Sequence, residues 1–398
     1  MLHYDSKRNG MPKIAAVLGA TGSVGRQALD VARHADIPID LLSAKSDVCG
    51  MEELAREFRP SYCVMADESA ALDLRERLSD TQIRVLGGER GLTEAIARSK
   101  AETVVNAVLG AAGLAPTLAT IDAGKRLALS NKESLVVAGE IVMARAREKK
   151  AEIIPVDSEH SAIFQSLQAG RSGEVRNLWL TASGGPFFGK SRAELEKVTL
   201  AETLAHPTWK MGAKITVDSA DMMNKGFEVI EAVHLFGVKP SQVRVVVHRE
   251  SIIHSAVEYI DGAVIAEMSL PDMRMCVQYA MSYPERASGV CAPLDLAAMG
   301  ALHFAPPDGE NFPLLPLAYR AIEAGGGLPA VLNAANEVAV AAFLREELSF
   351  LGIGDLVGET VEKLSSAQKA HSLDEILEYD REARRVAAAS LSAKYVKR

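Results

Sequence analysis

The chain has only four cysteines in 398 residues (Cys49, Cys63, Cys276 and Cys291), and no two stand in CxxC spacing. That argues against a disulfide framework or a cysteine metal site and fits buried thiols in a reducing compartment. Positive charge is in short supply as well. Against 52 Asp and Glu there are 44 Lys and Arg, a formal net charge of −8. Such a chain lacks the basic footprint that nucleic-acid backbones require. A phosphorylated metabolite needs only a local cluster of donors and is not excluded. No apolar run approaches the roughly 20 residues of a membrane span. The start, MLHYDSKRNGMPK, has no long apolar segment and reads as a frayed lead-in that contains His3, with Met11 as an alternative start. The expectation is a cytoplasmic protein with no membrane or nucleic-acid partner.

What the chain does have is a long alternation of strand and helix patterns. Its length exceeds what one core usually holds, so two or three domains are expected. Short apolar runs at 13–18, 39–44, 61–66, 83–87, 103–110, 126–130 and 152–157 read as strands buried on both faces, with helices between them. They predict an α/β fold that opens with a Rossmann-like, mostly parallel sheet. Beyond Asp157, strand-like runs at 175–185, 214–220, 242–248 and 263–270 and helices at 158–169 and 222–236 suggest an α/β or α+β domain. A proline-rich stretch at 284–316 suits a linker, and from Leu317 onward the pattern is helical. The expected division is 11–155, 156–285, a linker at 286–316, and a small helical domain at 317–398.

The segment GATGSVG follows the first strand and opens an amphipathic helix, with glycines at 19, 22 and 25. Gly19 allows a tight turn, Gly22 a close approach of backbone to a pyrophosphate, and Gly25 close helix packing. The helix N-terminus then faces the anion. A site for NAD usually has an acidic residue at the end of the second strand. Here that strand ends in Ala44, Lys45 and Ser46; Asp40 comes too early and Asp47 too late. Lys45 and Ser46 either meet a 2′-phosphate, which favours NADPH, or are solvated loop residues.

Asp157 and Glu159, in DSEH, end a strand, and Glu228 lies on a later helix. Three such carboxylates either share a hard ion such as Mg²⁺ or Mn²⁺ or serve as caps and surface charge. Ser183 in an SGG turn, Ser219 as the cap of a helix, and Asn224 and Lys225 one turn further on would together suit a phosphate. His206 and Trp209, in AHPTWKMG, are either packed core residues or part of a loop that closes over a ligand. His248 and His254 flank a polar turn nearby.

Several longer stretches carry a family resemblance: LGATGSVG (18–25), NAVLGAAGLAPTLATI (106–121), SNKESLV (130–136), IPVDSEHSAIFQ (154–165), LTASGGPF (180–187), HPTWKMGAKITVDSADMMNKGFEVIEA (206–232), SLPDMR (269–274) and the run 312–344. In these the chain closely resembles the 1-deoxy-D-xylulose 5-phosphate reductoisomerase family. The resemblance implies a homodimer acting on a phosphorylated sugar in the non-mevalonate isoprenoid pathway, with NADPH and a divalent metal. The carbon skeleton would rearrange by a retro-aldol and aldol pair or by a 1,2 shift, and hydride would then reduce the aldehyde.

The resemblance further implies that Asp157, Glu159 and Glu228 hold the metal and that Ser183, Ser219, Asn224 and Lys225 hold the substrate phosphate, with His206 nearby. Ser158 and Lys225 would orient the reacting oxygens, and Trp209 and Met211 would belong to a flap. Thr21, Gly22, Ser23 and Val24 would contact cofactor phosphates, with Ala44, Lys45 and Ser46 at the adenosine end. Asn131, Lys132 and Glu133 would line the path to the nicotinamide.

The chain departs from the family pattern at four places. Ala20 replaces the usual Ser, and Ser46-Asp47 stand where Asn is common. His248-Arg249-Glu250-Ser251 replaces His-Pro-Gln-Ser, and Met275-Cys276 replaces Thr-Pro. Two rival functions are another NADP-dependent dehydrogenase, such as one acting on a semialdehyde, which often needs a catalytic cysteine, and a non-catalytic NADPH sensor.

Overall fold

The computed structural model describes residues 11–209 and 211–395; the lead-in before Met11, His3 included, lies outside them. The chain forms two compact units whose limits do not follow chain order. The first takes the chain up to Ser134, then Val142–Phe164 and Asp272–Pro293. The second takes Leu135–Ile141, Gln165–Pro271 and everything from Leu294 onward.

All seven expected strands form in the first unit: β1 (Ala15–Leu18), β2 (Ile39–Ala44), β3 (Tyr62–Met65), β4 (Arg84–Gly87), β5 (Thr103–Asn106), β6 (Arg126–Leu129) and β7 (Ile153–Pro155). They make one sheet in the order β4-β3-β2-β1-β5-β6-β7, with every neighbour parallel. β1 is buried throughout because helices cover both faces of such a sheet. Strand order reverses at β1 and β5, the point where open parallel sheets leave a crevice at their carboxyl ends.

The second unit is built on a four-stranded sheet, β8 (Val175–Ala182), β9 (Val243–Val247), β10 (Ile253–Tyr259) and β11 (Val264–Met268), in the order β11-β10-β8-β9. Only β8 and β9 are parallel. Four helices follow, at Leu314–Ala324, Leu328–Leu344, Phe350–Lys363 and Leu373–Ser390. Between the helix Met273–Ser282 and Leu314 there is no helix or strand beyond a bridge pairing Val247 with Ala305.

Two local expectations need correction. The run 214–220 is the helix Ala213–Ala220, not a strand. Its alternating Ile215 and Val217 imitate a strand. However, Lys214 and Asp218, one helical turn apart, pair at 2.7 Å, and Asp218 also accepts from Asn336 Nδ2 at 2.8 Å. Ser219 is therefore near the end of that helix and caps nothing. The next helix, Met223–Phe236, starts after Met222, and Asp221 accepts from Met223 N at 3.0 Å. β10 escaped notice because polar residues interrupt it. His254 and Ser255 are buried in it, and Ser255 Oγ accepts from Thr181 N at 3.3 Å.

Candidate active site

The turn after β1 is shaped by what its glycines exclude. Gly19 has φ +78°, and a Cβ there would lie 2.5 Å from Ala107 O, at the end of β5. A Cβ on Gly25 would lie 2.1 Å from Gly19 O, so the helix Ser23–His34 can start this close to the strand only without a side chain. Gly22 occupies the cap position and supplies no side-chain cap. The first-turn amides therefore need an external acceptor. Ala20 is fully buried, so this departure from the family pattern concerns packing.

Ser43 joins the end of β2 to this turn, its carbonyl accepting from Ala20 N at 2.7 Å. Ala44 is buried, while Lys45 and Ser46 are exposed. Neither nearby aspartate competes for a ribose. Asp47 caps the next helix by accepting from Gly50 N at 2.9 Å. Asp40 is buried, and burial alone would raise its carboxyl. Hydrogen bonds from Ser61 Oγ, Lys100 N and Ser99 Oγ nevertheless hold it below the usual carboxylate range.

Asn131 is a buried hub. Its amide donates to Val108 O at 2.7 Å and Gly110 O at 2.9 Å, while its oxygen accepts from Ser134 N. Asn106, which sequence reasoning missed, does similar work. It donates to Gly113 O at 3.0 Å and Thr117 Oγ1 at 2.9 Å. The available signal was a lone amide closing an apolar strand. Together the two amides shape the 107–113 loop. Glu133 accepts from Asn131 at 3.1 Å. Lys132 Nζ pairs with Asp157 Oδ2 at 2.8 Å.

Asp157 stands at the start of the helix Ser158–Ser166, where its carbonyl accepts from Ser161 N. Its Oδ1 accepts from Glu159 N at 3.2 Å, and buried His160 places Nδ1 3.4 Å away. Ser158 Oγ donates to Glu159 Oε2 at 2.6 Å.

In the second unit, Ser183 follows the end of β8, and Gly184 and Gly185 come next at φ +75° and +63°. A Cβ on Gly185 would lie 2.8 Å from Ser219 O, so this glycine brings the two predicted phosphate ligands into one neighbourhood. Ser183 Oγ lies 2.9 Å from His206 Nε2. His206 Nδ1 accepts from Thr208 N at 3.2 Å and Trp209 N at 2.9 Å, so its proton must sit on Nε2, which donates to Ser183. Burial, then the charge of Arg249, holds His206 down to about 4, so the ring is neutral at pH 7. Trp209 and Met211 are half-buried, and Trp209 packs 6.0 Å from the His254 ring. On the helix Met223–Phe236, Asn224 Nδ2 donates to Glu228 Oε1 at 2.6 Å and Lys225 Nζ contacts Glu228 Oε2. Glu228 is 1% exposed, and its two neighbours one turn back balance its burial.

Asp157 and Glu159 in the first unit and Glu228 in the second are the three carboxylates expected to hold the metal. Three hard oxygen donors suit Mg²⁺ or Mn²⁺ and do not suit zinc. Burial pushes the Cys63 thiol up to about 12 and the Cys291 thiol up to about 11, which speaks against the semialdehyde-type rival.

Comparison with known proteins points to one family over most of the chain. The 1-deoxy-D-xylulose 5-phosphate reductoisomerase family profile matches residues 15–139, its C-terminal domain 153–236, and the DXP reductoisomerase C-terminal domain 268–386. The 1-deoxy-D-xylulose 5-phosphate reductoisomerase of Caldanaerobacter subterraneus subsp. tengcongensis is 51% identical over 372 residues, 92% of this chain and 96% of that protein. A DOX-P reductoisomerase crystallised with NADPH, fosmidomycin and magnesium matches with a TM-score of 0.92 at 39% identity, covering 96% of this chain and 98% of the other. The Zymomonas mobilis reductoisomerase in complex with NADPH matches at 0.89 and 41% identity, covering 96% and 100%.

Proposed function

The chain belongs to the 1-deoxy-D-xylulose 5-phosphate reductoisomerase family, and we propose which of its residues carry the family's reaction. The reaction is the NADPH- and divalent-metal-dependent rearrangement and reduction of 1-deoxy-D-xylulose 5-phosphate to 2-C-methyl-D-erythritol 4-phosphate. When bound, the metal supplies Lewis-acid polarisation of the substrate oxygens and NADPH supplies the hydride.

In this reading Asp157, Glu159 and Glu228 hold the ion. The observation that supports the assignment is the match to a reductoisomerase crystallised with NADPH, fosmidomycin and magnesium, together with the oxygen-only chemistry of these three side chains. Asp157 also pairs with Lys132 Nζ at 2.8 Å. Thr21, Gly22, Ser23 and Val24 present main-chain amides to the cofactor phosphates. Ala44, Lys45 and Ser46 take the adenosine end, with Lys45 on the 2′-phosphate. Asn131, Lys132 and Glu133 border the nicotinamide path. Ser183, Ser219, Asn224 and Lys225 bind the substrate phosphate. His206 acts through Ser183, whose hydroxyl accepts its Nε2 proton, and because the ring is uncharged it costs little to desolvate.

Ser158 and Lys225 orient the substrate's hydroxyl and carbonyl oxygens, and Lys225 keeps a positive charge beside them. Trp209 and Met211 cover the bound sugar and exclude water. Binding energy from the phosphate, remote from the reacting carbons, is then available to hold the closed state. In functional terms 11–155 binds NADPH, 156–285 carries catalysis and 317–398 is the helical tail. We also place the protein in the cytoplasm as a homodimer. The family resemblance and the four free cysteines support that placement.

The test is substrate-dependent NADPH oxidation before and after thorough chelation. Activity is expected to vanish and to return with Mg²⁺ or Mn²⁺. Undiminished turnover in the chelated enzyme would defeat the metal assignment.

A further inference from the structure

We propose that Arg249 is a further substrate-binding residue, an unpaired guanidinium fixed beside the Ser183–Gly185 turn that draws the substrate's phosphate group toward it. The proposal rests on the reading of Ser183, Ser219 and His206 as phosphate ligands.

The placement follows from the sheet. β8 and β9 run parallel and end together, with Ala182 opposite Val247, and His248 N donates to Ala182 O at 2.7 Å. The residues that follow the two strands therefore leave the sheet side by side. A Cβ on Gly184 would lie 2.9 Å from Val247 Cγ1 and 3.1 Å from Phe188 Cδ2, so Phe188 packs against the turn itself. Arg249 Cζ stands 5.2 Å from the centroid of the Phe188 ring. A cation over an aromatic face at that distance is attracted to it and gives up some of its freedom to swing into solvent.

The charge is not spent elsewhere. Among the described residues no carboxylate lies within ion-pair distance of Arg249. The adjacent acid, Glu250, is instead engaged by His303, whose Nδ1 lies 2.6 Å from its Oε1. Arg249 is exposed, so it keeps access to a ligand arriving from solvent. The lowered basicity of His206, caused first by burial and then by Arg249, agrees with a guanidinium in electrostatic reach of the imidazole that bonds Ser183. Arg249 makes no polar bond to the cradle itself. Its contribution is therefore Coulombic, and it acts on capture and retention of a dianion more than on the chemical step.

The experiment is steady-state kinetics of the full-length enzyme and its Arg249→Gln and Arg249→Lys forms at low and high salt, with inorganic phosphate as a competing probe. At low salt Arg249→Gln is expected to raise KM for the phosphorylated substrate about threefold to fivefold, the range of one exposed charge contact. The apparent Ki of inorganic phosphate should rise in parallel. The gap should close near about 0.5 M salt, where charges are screened within a few ångströms. Turnover at saturation and KM for NADPH should stay within about twofold, and Arg249→Lys should recover most of the loss. An unchanged KM overturns the proposal. So does a rise that is equal at both salts, because that would report lost packing on Phe188. Ser219→Ala separates this proposal from the reading beneath it. If Ser219→Ala weakens phosphate inhibition and Arg249→Gln does not, Arg249 alone is dismissed. If Ser219→Ala has no effect on phosphate inhibition, the cradle reading falls and takes this proposal with it.

Discussion

The Gly19–Gly25 turn and the Asn224–Glu228 strip prepare for charged ligands by opposite means. The turn has no charged side chain. Its shape is set by absent Cβ atoms, and its donors are main-chain amides at a helix start. The strip is all side chains. A nearly inaccessible glutamate is balanced by a lysine and an asparagine one turn away. A site made by omission tolerates changes of charge nearby and fails when volume is added. A site made by charge balance tolerates small changes of volume and fails when one partner is neutralised, because the other is left buried and uncompensated.

The sharpest break in that comparison is Gly25→Ala. The added methyl must move the Gly19 carbonyl or the whole helix start, and the expected cost is about 3 kcal/mol with loss of NADPH binding. Denaturant unfolding and an NADPH titration measure both effects. Unchanged stability would show that the turn has slack the structure does not reveal.

A second test uses two histidines of the other unit. Burial holds His254 and His234 down to about 4. The unfolded chain takes up protons near pH 6.5, while the folded chain refuses them until about pH 4. The stability from these groups is therefore complete above about pH 6.5 and is lost as pH falls toward 4, by up to about 3 kcal/mol per ring. Asp221 works against this trend, since burial and then Asp218 hold its carboxyl well above the usual range. The informative quantity is the change in slope. His254→Gln should flatten the dependence of unfolding free energy on pH between about 6.5 and 4.5. An identical slope would contradict a neutral buried His254.

The smallest effect is expected at Lys45. Lys45→Ala should weaken NADPH about tenfold, a typical loss for one charge-assisted contact, and NADH hardly at all. Equal losses for both cofactors would remove Lys45 from the 2′-phosphate.

How much of this was readable beforehand differs between the units for a physical reason. The parallel sheet could be read because each strand is buried on both faces and so is apolar almost without interruption, as in Val104 and Val105 of β5. The mixed sheet was harder. One of its two inner strands, β10, carries His254, Ser255 and Glu258, and these are tolerated only because partners distant in sequence satisfy them, such as Asn177 and Trp179 bonding Glu258 at 2.9 and 3.0 Å. The helix 213–220 was misread because the Asn336 contact that helps anchor it lies 118 residues away. For the candidate site, Asp157, Glu159 and Glu228 could be nominated from their chemistry. The tautomer of His206 and the hub role of Asn106 depend on coordinates.

The account stands or falls on three carboxylates sharing one cation, and Mn²⁺ titration of the full-length protein is the most direct test. One site per chain is predicted, with Asp157→Asn and Glu228→Gln each weakening it by about tenfold or more, since each removes a charged oxygen ligand. Glu228→Gln binding Mn²⁺ as tightly as the unaltered protein, in a variant that remains folded, would contradict the shared site.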